Sequence, residues 1–202
     1  MTDGGLEAEI RNLKRAIWCV LKPIGTFRIL DPGLVPQGLK PIARSISWLV
    51  EQVVVQNLRA KGESCGIERV EDPAHGLGAY DCTVYLSGNT RPFRVNVKTS
   101  LTSTSHNSRF DVNKADKLIE LYVSEPQLVL LLAIVKVDFL DTRVTFRDLI
   151  VSNVAWTPDI YYNRANHNLQ SRCDGSQVIR SNEEFVRLLR EQLKAAGHGE
   201  HY

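Results

Sequence analysis

An α/β fold, a mixed β-sheet flanked by helices, is predicted by three observations. Apolar residues recur at helical spacing near both ends and in two internal stretches. Three short strand-like stretches lie close together between residues 66 and 99, separated by turn residues. Leu128–Val135 is an unbroken run of eight apolar residues closed by Lys136, the pattern of a central strand covered on both faces.

The first helix is expected over 6–22, from Leu6, Ile10, Leu13, Ile17, Val20 and Leu21, and Pro23 stops it. From Pro23 to Pro41 the chain carries four prolines and three glycines, and reads as a long surface connection. A second helix fits 43–60, with Ile46, Leu49, Val50, Val53, Val54 and Leu58 on its apolar face and Gly62 as its stop. Gly66–Val70, Ala79–Leu86 and Phe93–Thr99 follow as a meander, the last two joined by Ser87-Gly88-Asn89. In the third strand Phe93, Val95 and Val97 alternate with Arg94, Asn96 and Lys98.

Residues 100–109 form a polar loop. A helix at 113–123 rests on Ala115, Leu118, Ile119 and Tyr122 and ends before Pro126. The apolar strand 128–137 is paired with 142–150 through Phe139-Leu140-Asp141. A long polar and aromatic stretch, 156–172, precedes a last helix that opens with the capping box Ser181-x-x-Glu184 and runs to Ala195. Residues 1–42 are a helix with its connecting segment, 43–202 hold the remaining elements, and the whole reads as one compact domain.

The chain has 202 residues, 43% of them hydrophobic and 24% charged, which excludes disordered, collagen-like and coiled-coil classes. No apolar run approaches the roughly 20 residues of a membrane helix. The net charge of +2 decides nothing about nucleic acid, because a basic groove fits inside a near-neutral total. Cys19, Cys65, Cys82 and Cys173 show no metal-ligand spacing, and no charged-then-apolar leader opens the chain. Reduced thiols and a cytoplasmic location are therefore expected. His75, His198 and His201 have no partner at ligand spacing and read as surface residues.

Chemistry concentrates between Tyr80 and Ser100. Asp81 opens one strand, a hairpin turn follows, and the next strand presents Asn96 and Lys98 on one face, since residues two apart share a face. Adjacent strands bring these three side chains toward one small site, and Glu51 in the second helix is a polar residue inside an apolar stretch. Phosphodiester hydrolysis needs a hard cation held by oxygen ligands and a basic group near the attacking water.

In these residues the chain resembles the PD-(D/E)xK nucleases, which include most type II restriction endonucleases, over roughly residues 43–138. The family core runs helix, three-strand meander, helix, strand, with an acid opening one hairpin strand and acid-x-Lys on the next. Asp81 matches the first acid, Lys98 the lysine, and Glu51 the helix glutamate of many members. Tyr80 replaces the proline of the motif name, and Asn96 stands where the second acid belongs. Three explanations of Asn96 stand open: Glu51 compensates, an acid was exchanged deliberately to trap bound DNA, or the domain is a weakened or non-cutting relative.

The resemblance implies a restriction-endonuclease-like fold and a homodimeric Mg²⁺-dependent enzyme cutting double-stranded DNA at a specific sequence. Asp81, Asn96, the Val97 carbonyl and Glu51 would hold the metal, and Lys98 would position the water. Thr102, Ser103, Asn107 and Arg109 in the polar loop suit phosphate contacts. Asn163, Arg164, Asn166, His167, Asn168, Gln170 and Arg172, near a DNA-reading segment at 156–177, suit base edges. A repair or junction-resolving nuclease of the same fold and a non-catalytic DNA-binding relative are the alternatives.

Overall fold

A computed structural model of the protein describes residues 3–35, 43–73, 78–103, 109–158, 160–171 and 176–197. In chain order the elements are α1 (Asp3–Leu21), β1 (Thr26–Arg28), α2 (Ala43–Lys61), β2 (Ile67–Glu71), β3 (Cys82–Leu86), β4 (Phe93–Leu101) and β5 (Phe110–Lys114). They continue with α3 (Ala115–Ser124), β6 (Leu130–Leu140), β7 (Arg143–Asn153), β8 (Ile160–Asn163), β9 (Asn168–Ser171) and α4 (Asn182–Ala195).

Two sheets organise these elements. The larger has six strands in the order β1-β7-β6-β4-β3-β2, and the smaller has three in the order β5-β9-β8. In the larger sheet only β4 and β6 run parallel, with Val97 opposite Ala133 and Lys98 opposite Ile134. The chain between them passes through β5 and α3, the long connection that a parallel pair requires. The meander β2-β3-β4 is antiparallel throughout, as its turn residues predict.

The central position of β6 explains its composition. Leu130 to Val135 are each 1% exposed or less, because helices and neighbouring strands cover both faces. α2 lies against β4, α1 against β7 and α2, and α3 against α4. Gly62 ends α2 for a steric reason. A Cβ there would stand 2.3 Å from the Leu58 carbonyl oxygen and 2.9 Å from Ile67, so only glycine lets the chain turn into β2. The capping box of α4 is complete: the Ser181 hydroxyl accepts from the Glu184 amide, and the Glu184 carboxylate accepts from the Ser181 amide.

The structure departs from the sequence reading in four places. The chain ahead of the third helix, expected to be helical from 113, is the strand β5 up to Lys114. The Pro- and Gly-rich connection contains β1, which pairs with β7 at the sheet edge. The polar stretch before 172 is a hairpin, β8–β9, rather than an irregular segment, and it pairs with β5. Cys19 and Cys65 form a disulfide with a Cα–Cα separation of 5.9 Å, against the expectation of reduced thiols. The end of α1 and the short helical turn after α2 meet there, a juxtaposition invisible at a separation of 46 residues. Cys82 is free and buried, and burial pushes its thiol up to about 12, which leaves it inert at neutral pH. Cys173, His75, His198 and His201 lie outside the described residues. Among the described residues no helix is long and apolar enough to cross a membrane.

Candidate active site

The site forms where the chain entering β3 meets the middle of β4 under α2. Asp81 precedes β3 and clasps β4 on both sides of Asn96. Its backbone amide donates to the Val95 carbonyl at 2.8 Å, and its carboxylate Oδ2 accepts the Val97 amide at 2.6 Å. A side-chain oxygen thus replaces the missing strand partner of Val97. Asp81 Oδ1 has no hydrogen-bond partner among the described residues.

Three charged groups share this locality. Burial is the main influence raising the Asp81 carboxyl above its ordinary value, opposed by the Val97 amide and the Lys98 ammonium. Glu51, half-buried on α2, is also raised, by burial first and then by the negative charge of Asp81, with Lys98 opposing. Asp81 and Lys98 each act electrostatically on Glu51, and Lys98 on Asp81, so the three groups form one electrostatic unit. Two partly desolvated carboxylates beside one ammonium leave a net negative site.

Asn96, two residues before Lys98 on β4 and between the two residues that Asp81 clasps, is 4% exposed. Its Nδ2 donates to the Ala79 carbonyl at 3.0 Å and to the Val112 carbonyl at 3.1 Å, while its Oδ1 is buried without a partner. The donor set suits a hard cation such as Mg²⁺: two carboxylates and one orphaned amide oxygen, all oxygen ligands. Among the described residues no group of three or more His, Cys, Asp or Glu side chains stands at metal-binding separation.

The residues expected to contact DNA are placed differently. Thr102 donates its hydroxyl to Asp138, Ser103 is exposed beside it, and Asn107 and Arg172 lie outside the described residues. Arg109 stacks over the Tyr161 ring at 4.2 Å, joining the polar loop to the β8–β9 hairpin. Within that hairpin most polar side chains are engaged internally. Gln170 donates to Asp111 at 2.6 Å and Asn166 to the other Asp111 oxygen at 3.4 Å. Asn163 accepts from the Ala165 amide, Asn166 from the Asn168 amide, and the Tyr162 hydroxyl lies 2.6 Å from His167 Nδ1. Arg164 is exposed and reaches the Ala195 carbonyl. These residues build the hairpin turn first.

Trp48 escaped the sequence reading. It stands three residues before Glu51 on α2 and is 69% exposed, next to the site on the same helix face. The available signal was a tryptophan out of phase with the apolar stripe of its helix.

Against solved structures, the chain is similar to NlaIV restriction endonuclease, with a TM-score of 0.57 and 14% sequence identity over 98% of this chain and 82% of that one. The fold is restriction-endonuclease-like. No family model matches the chain, and no curated protein matches it. The similarity covers nearly the whole chain, beyond residues 43–138.

Proposed function

We infer that the protein is a PD-(D/E)xK-type restriction endonuclease that hydrolyses double-stranded DNA at a specific sequence with Mg²⁺, acting as a homodimer. The observation that carries this reading is the Glu51–Asp81–Lys98 unit at the β3–β4 junction of a restriction-endonuclease-like fold. Asp81 Oδ1, Asn96 Oδ1, Glu51 and the Val97 carbonyl are the oxygens that would hold the metal. Bound there, Mg²⁺ supplies neutralisation of the charge that builds on the phosphate.

The chain's own groups do the rest. Lys98 makes no ion pair among the described residues, so its ammonium is available to orient the attacking water and to stabilise the phosphate in the transition state. Burial around Asp81 and Asn96 strengthens each of these interactions by lowering the local dielectric. The two-fold symmetry of a homodimer would match a palindromic site, the usual logic of a symmetric protein on duplex DNA.

Plasmid cleavage in Mg²⁺ tests the reading. Discrete bands are expected from the parent chain, and Asp81→Ala and Lys98→Ala should each lower the rate by about 10² or more, the scale of losing a positioned charge. Structure-dependent nicking without discrete bands would point instead to a repair or junction-resolving nuclease. Asn96 favours a second reading, a non-catalytic DNA-binding relative. That reading predicts salt-sensitive duplex binding with no cutting by any variant. A chain that neither cuts nor binds DNA refutes both.

A further inference from the structure

Asn96 stands at the contact between three backbone segments, and both of its amide hydrogens are committed there. One bond goes to the Ala79 carbonyl, two residues before Asp81. The other goes to the Val112 carbonyl in β5. Val112 is the irregular residue of β5: the pairing with β9 shifts register between Asp111 and Asn113, so it has no partner in the ladder. A bulge leaves backbone groups unpaired, and an unpaired buried carbonyl is costly. Asn96 supplies the donor that this carbonyl lacks. Asn113 adds a parallel tie, donating to the Gly78 carbonyl at 3.0 Å.

An aspartate cannot take this position. It has the same shape as asparagine but no donor when ionised, so a carboxylate oxygen would face two carbonyl oxygens in a site 4% exposed. With Nδ2 fixed on two carbonyls, Oδ1 is fixed as well, and it is the atom left without a partner.

We propose that Asn96 is a positioning residue, required as an amide, that pins the segment carrying Asp81 to the β5 bulge and so holds the acidic site in shape. The departure from the acid-x-Lys pattern is therefore built into the fold. A consequence follows for the hairpin. β5 pairs with β9, and Asp111 beside the bulge holds Gln170 and Asn166. The acidic site and the β8–β9 hairpin thus share one anchor, and the hairpin lies one hydrogen-bonded strand away from Asn96.

The test compares the intact chain with its Asn96→Asp and Asn96→Ser variants by two readouts, under conditions where circular dichroism shows each one folded. The first is hydrogen exchange by mass spectrometry. Peptides covering 78–82 and 110–114 should exchange at least tenfold faster in Asn96→Asp, while β6 and β7 keep their protection. Asn96→Ser keeps one hydroxyl donor and should fall between, so the prediction survives if the aspartate variant does not fold. The second readout is terbium luminescence, with Tb³⁺ alone as the probe of the acidic site. Asn96→Asp should bind Tb³⁺ several-fold more weakly than the parent, although it adds a negative charge. A residue with only a structural role would leave Tb³⁺ affinity unchanged in the folded variant.

Tighter Tb³⁺ binding by Asn96→Asp with unchanged exchange would overturn the proposal, because the position would then simply want an acid. The second readout rests on the cation-site reading and the first does not. If the parent binds no Tb³⁺, the cation reading fails, and the exchange data alone support or overturn the pinning role.

Discussion

The two sheets of this molecule draw on apolar burial and polar side chains in different proportions. The six-stranded sheet is held by apolar burial: β6 contributes six consecutive residues at 1% exposure or less, and α1 and α2 cover its neighbours. The three-stranded sheet is short: it buries only Val112, Tyr162 and Leu169 of its apolar side chains, and polar side chains add to its ladders, with Asp111 accepting from Gln170 and Asn166 and Tyr162 meeting His167. Apolar burial is strong and non-directional, so the large sheet tolerates exchange among similar side chains. Hydrogen bonds are directional and individually modest, so the small sheet depends on particular residues yet gains less from each. The candidate site sits at the seam, where Asn96 on β4 donates to Val112 of β5 and so joins one sheet to the other, while Asp81 ties the entry of β3 to β4.

The contrast can be broken most strongly in the large sheet. Leu132→Ala removes a fully buried side chain from its centre and should cost about 2–5 kcal/mol, read as a shift of the urea midpoint for the whole chain. Reducing the Cys19–Cys65 bridge, which staples α1 to the turn after α2, should cost about 2–4 kcal/mol by releasing the unfolded chain. Denaturation with and without dithiothreitol measures it, and an unchanged midpoint would show that the bridge adds nothing.

A smaller and more local effect is expected on the other side of the seam. Asp111→Ala leaves Gln170 and Asn166 without their acceptor and should cost about 1 kcal/mol. Hydrogen exchange should quicken in 160–171 and stay unchanged in β6. Equal acceleration in both sheets would mean that they open as one unit, and the comparison would lose its basis.

The smallest effect concerns charge. Glu51 has its folded pKa raised by burial, so the folded protein holds this proton more tightly than the unfolded chain does. The stability linked to that proton is full at low pH and falls as pH rises through the carboxylate range toward the raised value. Glu51→Gln should therefore match the parent at about pH 4 and melt a degree or two higher at about pH 7. Cleavage should fall in the same variant, which would mark Glu51 as a functional charge that costs stability. A parent and variant with parallel pH profiles would remove Glu51 from the site.

Much of this was legible in the residues. The spacing of Ile46, Val50, Val54 and Leu58 predicts α2, the Ser181–Glu184 pair predicts the start of α4, and Leu128–Val135 predicts a central strand. That Asp81 and Lys98 lie on neighbouring strands was also legible, because hairpin alternation and chain order place them there, and Glu51 shares their electrostatic surroundings. Less legible were β1, three residues long at a sheet edge, and the β8–β9 hairpin, whose Asn-rich composition resembles a loop. The disulfide and the exposed Trp48 beside Glu51 depend on how helices pack, which periodicity does not report.

Asn96 marks the boundary between the two kinds of information. By itself the sequence determined that this strand position faces the site with Lys98 and that its residue is not an acid. Only the tertiary structure decided what the amide is for. Local propensity and alternation are set by neighbours in the chain. The Ala79 and Val112 carbonyls belong to segments 17 and 16 residues away, and the folded chain, with the β5 bulge, brings them to the same side chain. An unpaired carbonyl buried by folding creates a demand for a donor that no stretch of sequence displays.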